Sequence, residues 1–188
     1  MKRVLLTLGL VVLLAAPSFA GGGLGLFAAN WDTKEANNDT GTGVEGNFPF
    51  TSNSKMDLQL RITQYRELET KVGDLKVTIN ATPLDAGVVY NFYNSSKVTP
   101  RIGAGFTYFF LSSNMRELSL DSGTITGELG YFGEVGLDIP FDGNWAIYAD
   151  ALYRVGKSRL EGEGLNGFTQ RRVGLNGADV HLGIKFRW

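Results

Sequence analysis

The chain has 188 residues, 43% of them hydrophobic and 20% charged, with a formal net charge of −1. That length suits one domain of ordinary size, and the near-balance of charge supplies no basic surface for a nucleic acid. Cysteine is absent, which excludes disulfides, zinc–thiolate sites and a thiol nucleophile.

Residues 1–20 read as a cleavable signal peptide. Met1-Lys2-Arg3 is a positive start, Val4 to Ala16 is an apolar run too short to span a bilayer, and Ser18-Phe19-Ala20 offers small residues for cleavage. Cleavage there leaves a single mildly acidic domain, residues 21–188, opening on the glycines at 21–23 as a flexible start. With no cysteine after the cleavage site, a thioether-linked lipid anchor is excluded. Beyond residue 20 no apolar stretch is long enough for a transmembrane helix. A mean hydropathy of −0.05 fits a soluble protein, and equally a membrane barrel whose two faces average out. Periodicity has to decide.

Alternation with period two marks strands. Leu24, Leu26 and Ala28 begin the first, and Val44, Phe48 and Phe50 outline a second. Met56, Leu58, Leu60 and Ile62 share a face opposite Asp57, Gln59, Arg61 and Thr63. Leu84 to Phe92, Val98 to Phe110, Leu129 to Ile139 and Trp145 to Tyr153 repeat the pattern. The last strand is the clearest: Ala178, Val180, Leu182, Ile184, Phe186 and Trp188 alternate without exception with Asp179, His181, Gly183, Lys185 and Arg187. Eight strands result, an even number that closes without an edge. Tight turns at Thr51–Lys55, Asn94–Lys97 and Asp142–Asn144 alternate with longer polar segments near 34–42, 69–81, 112–124 and 156–176, read as outer loops. Pro49, Pro83, Pro100 and Pro140 fall near the proposed strand ends, where a missing N–H matters least.

The same alternation would suit a soluble barrel with its apolar face inward, but volume argues against that. Eight strands leave an interior just wide enough for their own side chains. Phe106, Tyr108, Phe110, Tyr131, Trp145, Tyr153, Phe186 and Trp188 would overfill it, whereas the opposite face alternates glycines at 87, 103, 105, 130, 136 and 183 with charged groups. Aromatic residues also gather on the short-turn side (Phe48, Phe50, Phe92, Phe141, Trp145, Phe186 and Trp188), as an interfacial girdle requires. The expected fold is all-β: an eight-stranded antiparallel up-and-down transmembrane barrel.

Residues Gly73 to Phe110, GDLKVTINATPLDAGVVYNFYNSSKVTPRIGAGFTYFF, resemble the middle of the outer-membrane protein W family. In both, a strand entered through proline leads by a short turn into a Pro-x-x-Gly-x-Gly strand ending in aromatics. Gly127 to Arg154 is similar to the next hairpin of that family and to opacity-type small barrels. Val180, Leu182, Ile184, Phe186 and Trp188 look like the signal read by the barrel-assembly machinery, with Trp in place of the usual Phe. The resemblance implies a bacterial outer-membrane location, no catalysis and no cofactor. It further implies a passive conduit or binding site for small, mainly apolar molecules, entering the top of the lumen and leaving sideways through the wall. Trp31, Phe109, Phe132 and Leu152, inward by parity, are the candidate lining residues. The rival expectation is a structural or surface-interaction barrel with a closed lumen.

Parity assigns the lumen an unusual charge content: Glu45, Asp57, Asp85, Glu128, Glu134, Asp138, Asp150 and Asp179 against Arg61, Arg101, Arg154, Lys185 and Arg187. Charges shielded from water are expensive unless paired, so a network of ion pairs is one reading and a hydrated, mildly cation-preferring pore the other. Arg61, Glu134 and Asp150 should share its middle level. His181, two residues from Asp179, reads as a lumen residue hydrogen-bonded to that carboxylate; a single histidine makes neither a metal site nor, without a nucleophile, a catalytic one. The segment from Gly156 to Asn176 carries Lys157, Arg159, Arg171 and Arg172 with Glu161 and Glu163. It reads either as a solvated loop or as a surface for lipopolysaccharide phosphates.

Overall fold

The computed structural model describes residues 22–33, 39–51, 53–72, 75–93, 97–113, 123–164 and 167–188; the segment read as a signal peptide lies outside them. In chain order the strands are β1 (Gly23–Thr33), β2 (Asp39–Pro49), β3 (Met56–Val72), β4 (Leu75–Asn91), β5 (Thr99–Ser113), β6 (Gly123–Thr126), β7 (Leu129–Asp142), β8 (Trp145–Val155), β9 (Lys157–Gly164), β10 (Gly167–Gly174) and β11 (Gly177–Arg187). Eight of them close into a barrel ordered β1-β2-β3-β4-β5-β7-β8-β11, with β11 returning to β1. Each neighbour pair is antiparallel, and the closing seam runs from Gly23 opposite Arg187 to Thr33 opposite Gly177. β6, β9 and β10 form a separate three-stranded sheet at the end away from the short turns.

The eight predicted strands are all present, but the predicted outer loops are largely strand. β3 and β4 remain paired as far as Val72 opposite Leu75, β2 starts at Asp39, and much of 156–176 is β9 and β10. Those segments read as loops from their polar content, yet the backbone ladder continues through them. Pro83 therefore sits inside β4 rather than near its end. The β3–β4 ladder steps from Ile62–Leu84 to Tyr65–Ala81 around it and then shifts register between Tyr65 and Leu68. One extra residue on β3 makes a bulge there, so inward positions change from Arg61, Thr63 and Tyr65 to Leu68. The shortest turn joins β7 to β8 through Gly143, whose φ of +45° is a left-handed value that glycine adopts without strain.

Exposure is inverted relative to a water-soluble protein. Leu26 and Leu129 are 68% exposed and Leu182 61%, whereas Arg61 is 1% and Arg154 and Asp179 are 0%. A belt of bare apolar side chains around a charged interior is stable only with hydrocarbon outside. Phe50, Phe92, Phe141 and Trp145 are exposed at the short-turn rim, and Tyr108, Tyr131 and Tyr153 at the opposite rim. The eleven residues from Tyr131 to Phe141 on β7 span about 33 Å along the strand, or about 25 Å along the membrane normal at the usual tilt. Phe48 departs from the girdle reading: it is buried because its ring lies across the outward side of Gly46, where a Cβ would meet Phe48 Cε2 at 2.9 Å. Trp188 is half-buried, its ring against Gly22 and its backbone N–H donating to the Gly22 carbonyl at 3.1 Å.

Candidate functional site

The lumen is the site, and it is built in levels. Nearest the short turns, Lys185 Nζ lies 2.9 Å from Glu45 Oε1 and 3.4 Å from Asp138 Oδ2. Arg187, a third exposed, caps Asp138 from the mouth, and Asp57 is half-buried, accepting Asn91 Nδ2 at 2.9 Å. One level up, both Arg101 nitrogens Nε and Nη2 donate to Asp150, the first at 2.8 Å, and Arg101 Nη1 reaches Glu45 at 3.5 Å. Arg61 holds the centre, with Glu134 at 2.6 Å, Glu45 at 3.5 Å, Asp85 at 3.7 Å and Asp150 at 3.8 Å. Above it Arg154 joins Asp85, at 2.7 Å, to Asp179. Tyr65 donates to Asp179, and His181 Nε2 lies 2.9 Å from the same oxygen with its ring stacked on Phe27.

These groups bring seven of the eight strands into one cross-linked layer; β1 supplies no charge to it, contributing Phe27 and Trp31 instead. Alternation puts each group inward, and six buried carboxylates face four fully buried cations, which keeps pairing strong in a low-dielectric interior. Glu128 does not join them. It is half-buried in the connection between β6 and β7, where its carbonyl accepts the Phe109 N–H at 3.5 Å, because the chain leaves the barrel alternation before Leu129.

Aromatic rings complete the filling, and they account for the lumen glycines. Tyr148 lies where side chains at Gly25 and Gly183 would stand, a Cβ at Gly183 coming within 2.6 Å of its ring. Arg101 and Lys185 cover the same ring at 5.2 and 4.7 Å from its centroid. Phe132 rests likewise on Gly87 and Gly105, with Arg61 6.0 Å above it. Glycine wall, ring and cation thus repeat as a stack, each cation gaining a cation–π contact.

At the outer end the lining turns apolar. Trp31 stacks on Phe109 at 6.0 Å and meets Tyr65 at 5.1 Å, and Leu68, Ile79, Ala81 and Leu175 pack with them. The four predicted lining residues therefore separate. Trp31 and Phe109 belong to this cap, while Phe132 and Leu152 are buried lower, with Leu152 opposite Glu134 and Asp179 in register. Sequence reading missed Tyr65, which continues the Arg61–Thr63 alternation, and Tyr148, which shared the inward face of β8. Ile79 and Leu175 lie in segments assigned to loops, and Leu68 borders one. Among the described residues no group of three or more acidic, histidine or cysteine side chains could hold a metal.

On the lipid side, a shallow groove of about 480 Å³ runs over β5, β7, β8 and β11 around Gly133. It is bordered by Ile102, Val135, Ala151, Tyr153 and Val180, and no atom of the described residues would lie within 4 Å of a Cβ at Gly133.

Residues 4–186 match a family model described as the outer membrane protein beta-barrel domain. The fold is similar to that of OprG from Pseudomonas aeruginosa, with a TM-score of 0.76, 16% identity and coverage of 90% of this chain and 97% of that one. Neisserial surface protein A superposes with a TM-score of 0.62, 14% identity and coverage of 89% and 97%. For outer membrane protein W of E. coli the values are 0.51, 17%, and 90% and 99%. No characterised protein sequence matches the chain. At these identities the likeness shows the fold.

Proposed function

Because the chain belongs to the outer membrane protein beta-barrel family and resides in the bacterial outer membrane, we propose that it takes up small, mainly apolar molecules at the outer end of its lumen and releases them sideways rather than through an axial pore. The observation that carries this reading is the order of the levels: an aromatic cap of Trp31, Tyr65 and Phe109 above a cross-linked charge layer. An apolar solute gains by entering the cap, yet meets ionic groups held by several partners each below it. The groove around Gly133 supports a route along the wall. We assign the barrel no catalysis, since His181 is fully buried among Phe27 and Asp179, away from any solute.

Full burial of Trp31 and Phe109 favours a second reading, a closed structural barrel. Purified protein in liposomes separates the two. Uptake of indole faster than in empty liposomes, slowed by Trp31→Ala or Phe109→Ala, with no swelling in arabinose, is the expected result. Arabinose swelling would reveal an open pore, and unchanged indole uptake a closed barrel; either overturns the proposal.

A further inference from the structure

Taking the outer aromatic cap as the uptake site proposed above, we infer that it selects apolar molecules carrying a hydroxyl group, which accepts from the Trp31 indole N–H and donates to Asp179 Oδ1. Trp31 and Asp179 are register partners across the β1–β11 seam. Both face inward, and both are fully buried. Side chains directly opposite one another on one face of an antiparallel pair have Cβ atoms about 4.5–5.5 Å apart, so one small polar group can touch both. Gly177 is the next inward residue of β11 toward the outer end. Its missing side chain leaves room for the indole: a Cβ there would come 2.8 Å from Trp31 Nε1.

Neither Trp31 Nε1 nor Asp179 Oδ1 has a hydrogen-bond partner among the described residues, whereas a buried indole N–H or carboxylate oxygen normally finds one. The polar groups nearby are committed elsewhere. Tyr65, Arg154 and His181 all converge on the other oxygen of Asp179, Oδ2. The remaining Arg154 nitrogens, Nε and Nη2, are held by Asp85 at 3.3 and 2.7 Å. Phe109, Leu68, Ile79, Ala81 and Leu175, which build the cap around the indole, offer no side-chain acceptor. His181 Nδ1 is also unpartnered, but it belongs one inward step deeper, opposite Ala29 and with its ring on Phe27. Arg154 fixes both halves of the pair, since it bonds to Asp179 and stands 5.6 Å over the Trp31 ring.

An indole N–H only donates and an ionised carboxylate only accepts. A hydrocarbon entering the cap satisfies neither, and a ketone satisfies the indole alone. A hydroxyl satisfies both, its oxygen accepting and its hydrogen donating. Sites whose buried polar groups need a partner discriminate against the analogue that lacks one.

The test titrates the full barrel in detergent with cyclohexanol, cyclohexanone and methylcyclohexane, solutes of similar size, and follows the indole N–H signals by nitrogen–proton NMR. Trp31→Phe keeps a ring in the cap and identifies the Trp31 signal among the three tryptophans by its loss. Cyclohexanol should bind about tenfold or more tighter than methylcyclohexane, with cyclohexanone between them. The two oxygen-bearing solutes should move the Trp31 signal downfield, and methylcyclohexane should not. In Trp31→Phe the affinity for cyclohexanol should fall about five- to tenfold while that for methylcyclohexane is unchanged. Should that variant fail to fold, Trp145→Phe/Trp188→Phe leaves Trp31 as the single indole and reads the same shift. Binding of cyclohexanol no tighter than either other solute, or a Trp31 signal that it leaves unmoved, would overturn the selectivity while apolar uptake stood. Failure of all three to bind would overturn the uptake reading and the selectivity with it.

Discussion

Replacing Arg61 with alanine tests the central level of the lumen. Four carboxylates surround this guanidinium, but they do not lose equally. Asp85 keeps Arg154 at 2.7 Å, Asp150 keeps its bonds from Arg101, and Glu45 keeps Lys185 at 2.9 Å. Glu134 is left with the Gln59 amide at 3.1 Å. One buried carboxylate therefore loses its bonded cation, and breaking a single buried pair costs about 3–5 kcal/mol, not several times that. Denaturant unfolding in phospholipid vesicles reads this directly. Arg61→Met/Glu134→Gln, which removes both charges, should recover about 2 kcal/mol of the loss. The vacated centre, ringed by carboxylates, should also raise cation conductance in planar bilayers. If stability fell by less than about 1 kcal/mol and conductance stayed at the parent level, the lumen would not be the cross-linked layer described.

Tyr148→Ala removes a ring wedged between two cations and two glycines and should cost about 3–5 kcal/mol, while Tyr148→Phe should be nearly neutral because the hydroxyl has no hydrogen-bond partner among the described residues; unfolding curves of the two variants give the comparison. Gly136→Ala would set a Cβ 1.9 Å from Asp150 Oδ1, displace that carboxylate from Arg101 and destabilise by about 1–3 kcal/mol. Gly133→Ala, on the open lipid side, should change stability by less than about 0.5 kcal/mol in the same assay. Leu182→Arg, near mid-height on the lipid face, should lower stability by about 2–4 kcal/mol, and a neutral result there would contradict the assignment of that face to hydrocarbon.

The strands were legible wherever lipid lies on one side, because there chemistry alternates with every residue. Leu58, Leu60 and Ile62 against Gln59, Arg61 and Thr63 leave no ambiguity of face. Legibility ended at the bulge after Tyr65, where one additional residue exchanges the faces, and in β9 and β10, which have no hydrocarbon to impose a pattern. Charged lumen residues were visible as single letters, since parity alone sends Arg101 or Asp150 inward. Their partners were not, because pairing crosses the bore: Arg61 and Glu134 are 73 positions apart. The aromatic–glycine stacking was hidden for a related reason. Tyr148 on β8 rests on Gly183 and Gly25 of two other strands, so the relation exists only after closure. Phe48 kept its parity yet lost its exposure to a neighbour two residues away.

The seam between β1 and β11 has a consequence for biogenesis. β11 delivers Lys185 and Arg187, the two nearest cations of Asp138, which otherwise has only Arg101 at 3.8 Å among the described residues, and Lys185 is also the shortest ion-pair contact of Glu45. A nascent barrel still lacking that strand would carry acid with only its longer cation contacts beside an unzipped edge, and poorly paired acid is a poor passenger in hydrocarbon. Electrostatics and hydrogen bonding thus become satisfied at the same moment, so that half-assembled forms have little to gain from entering the bilayer and the finished cylinder has little reason to reopen.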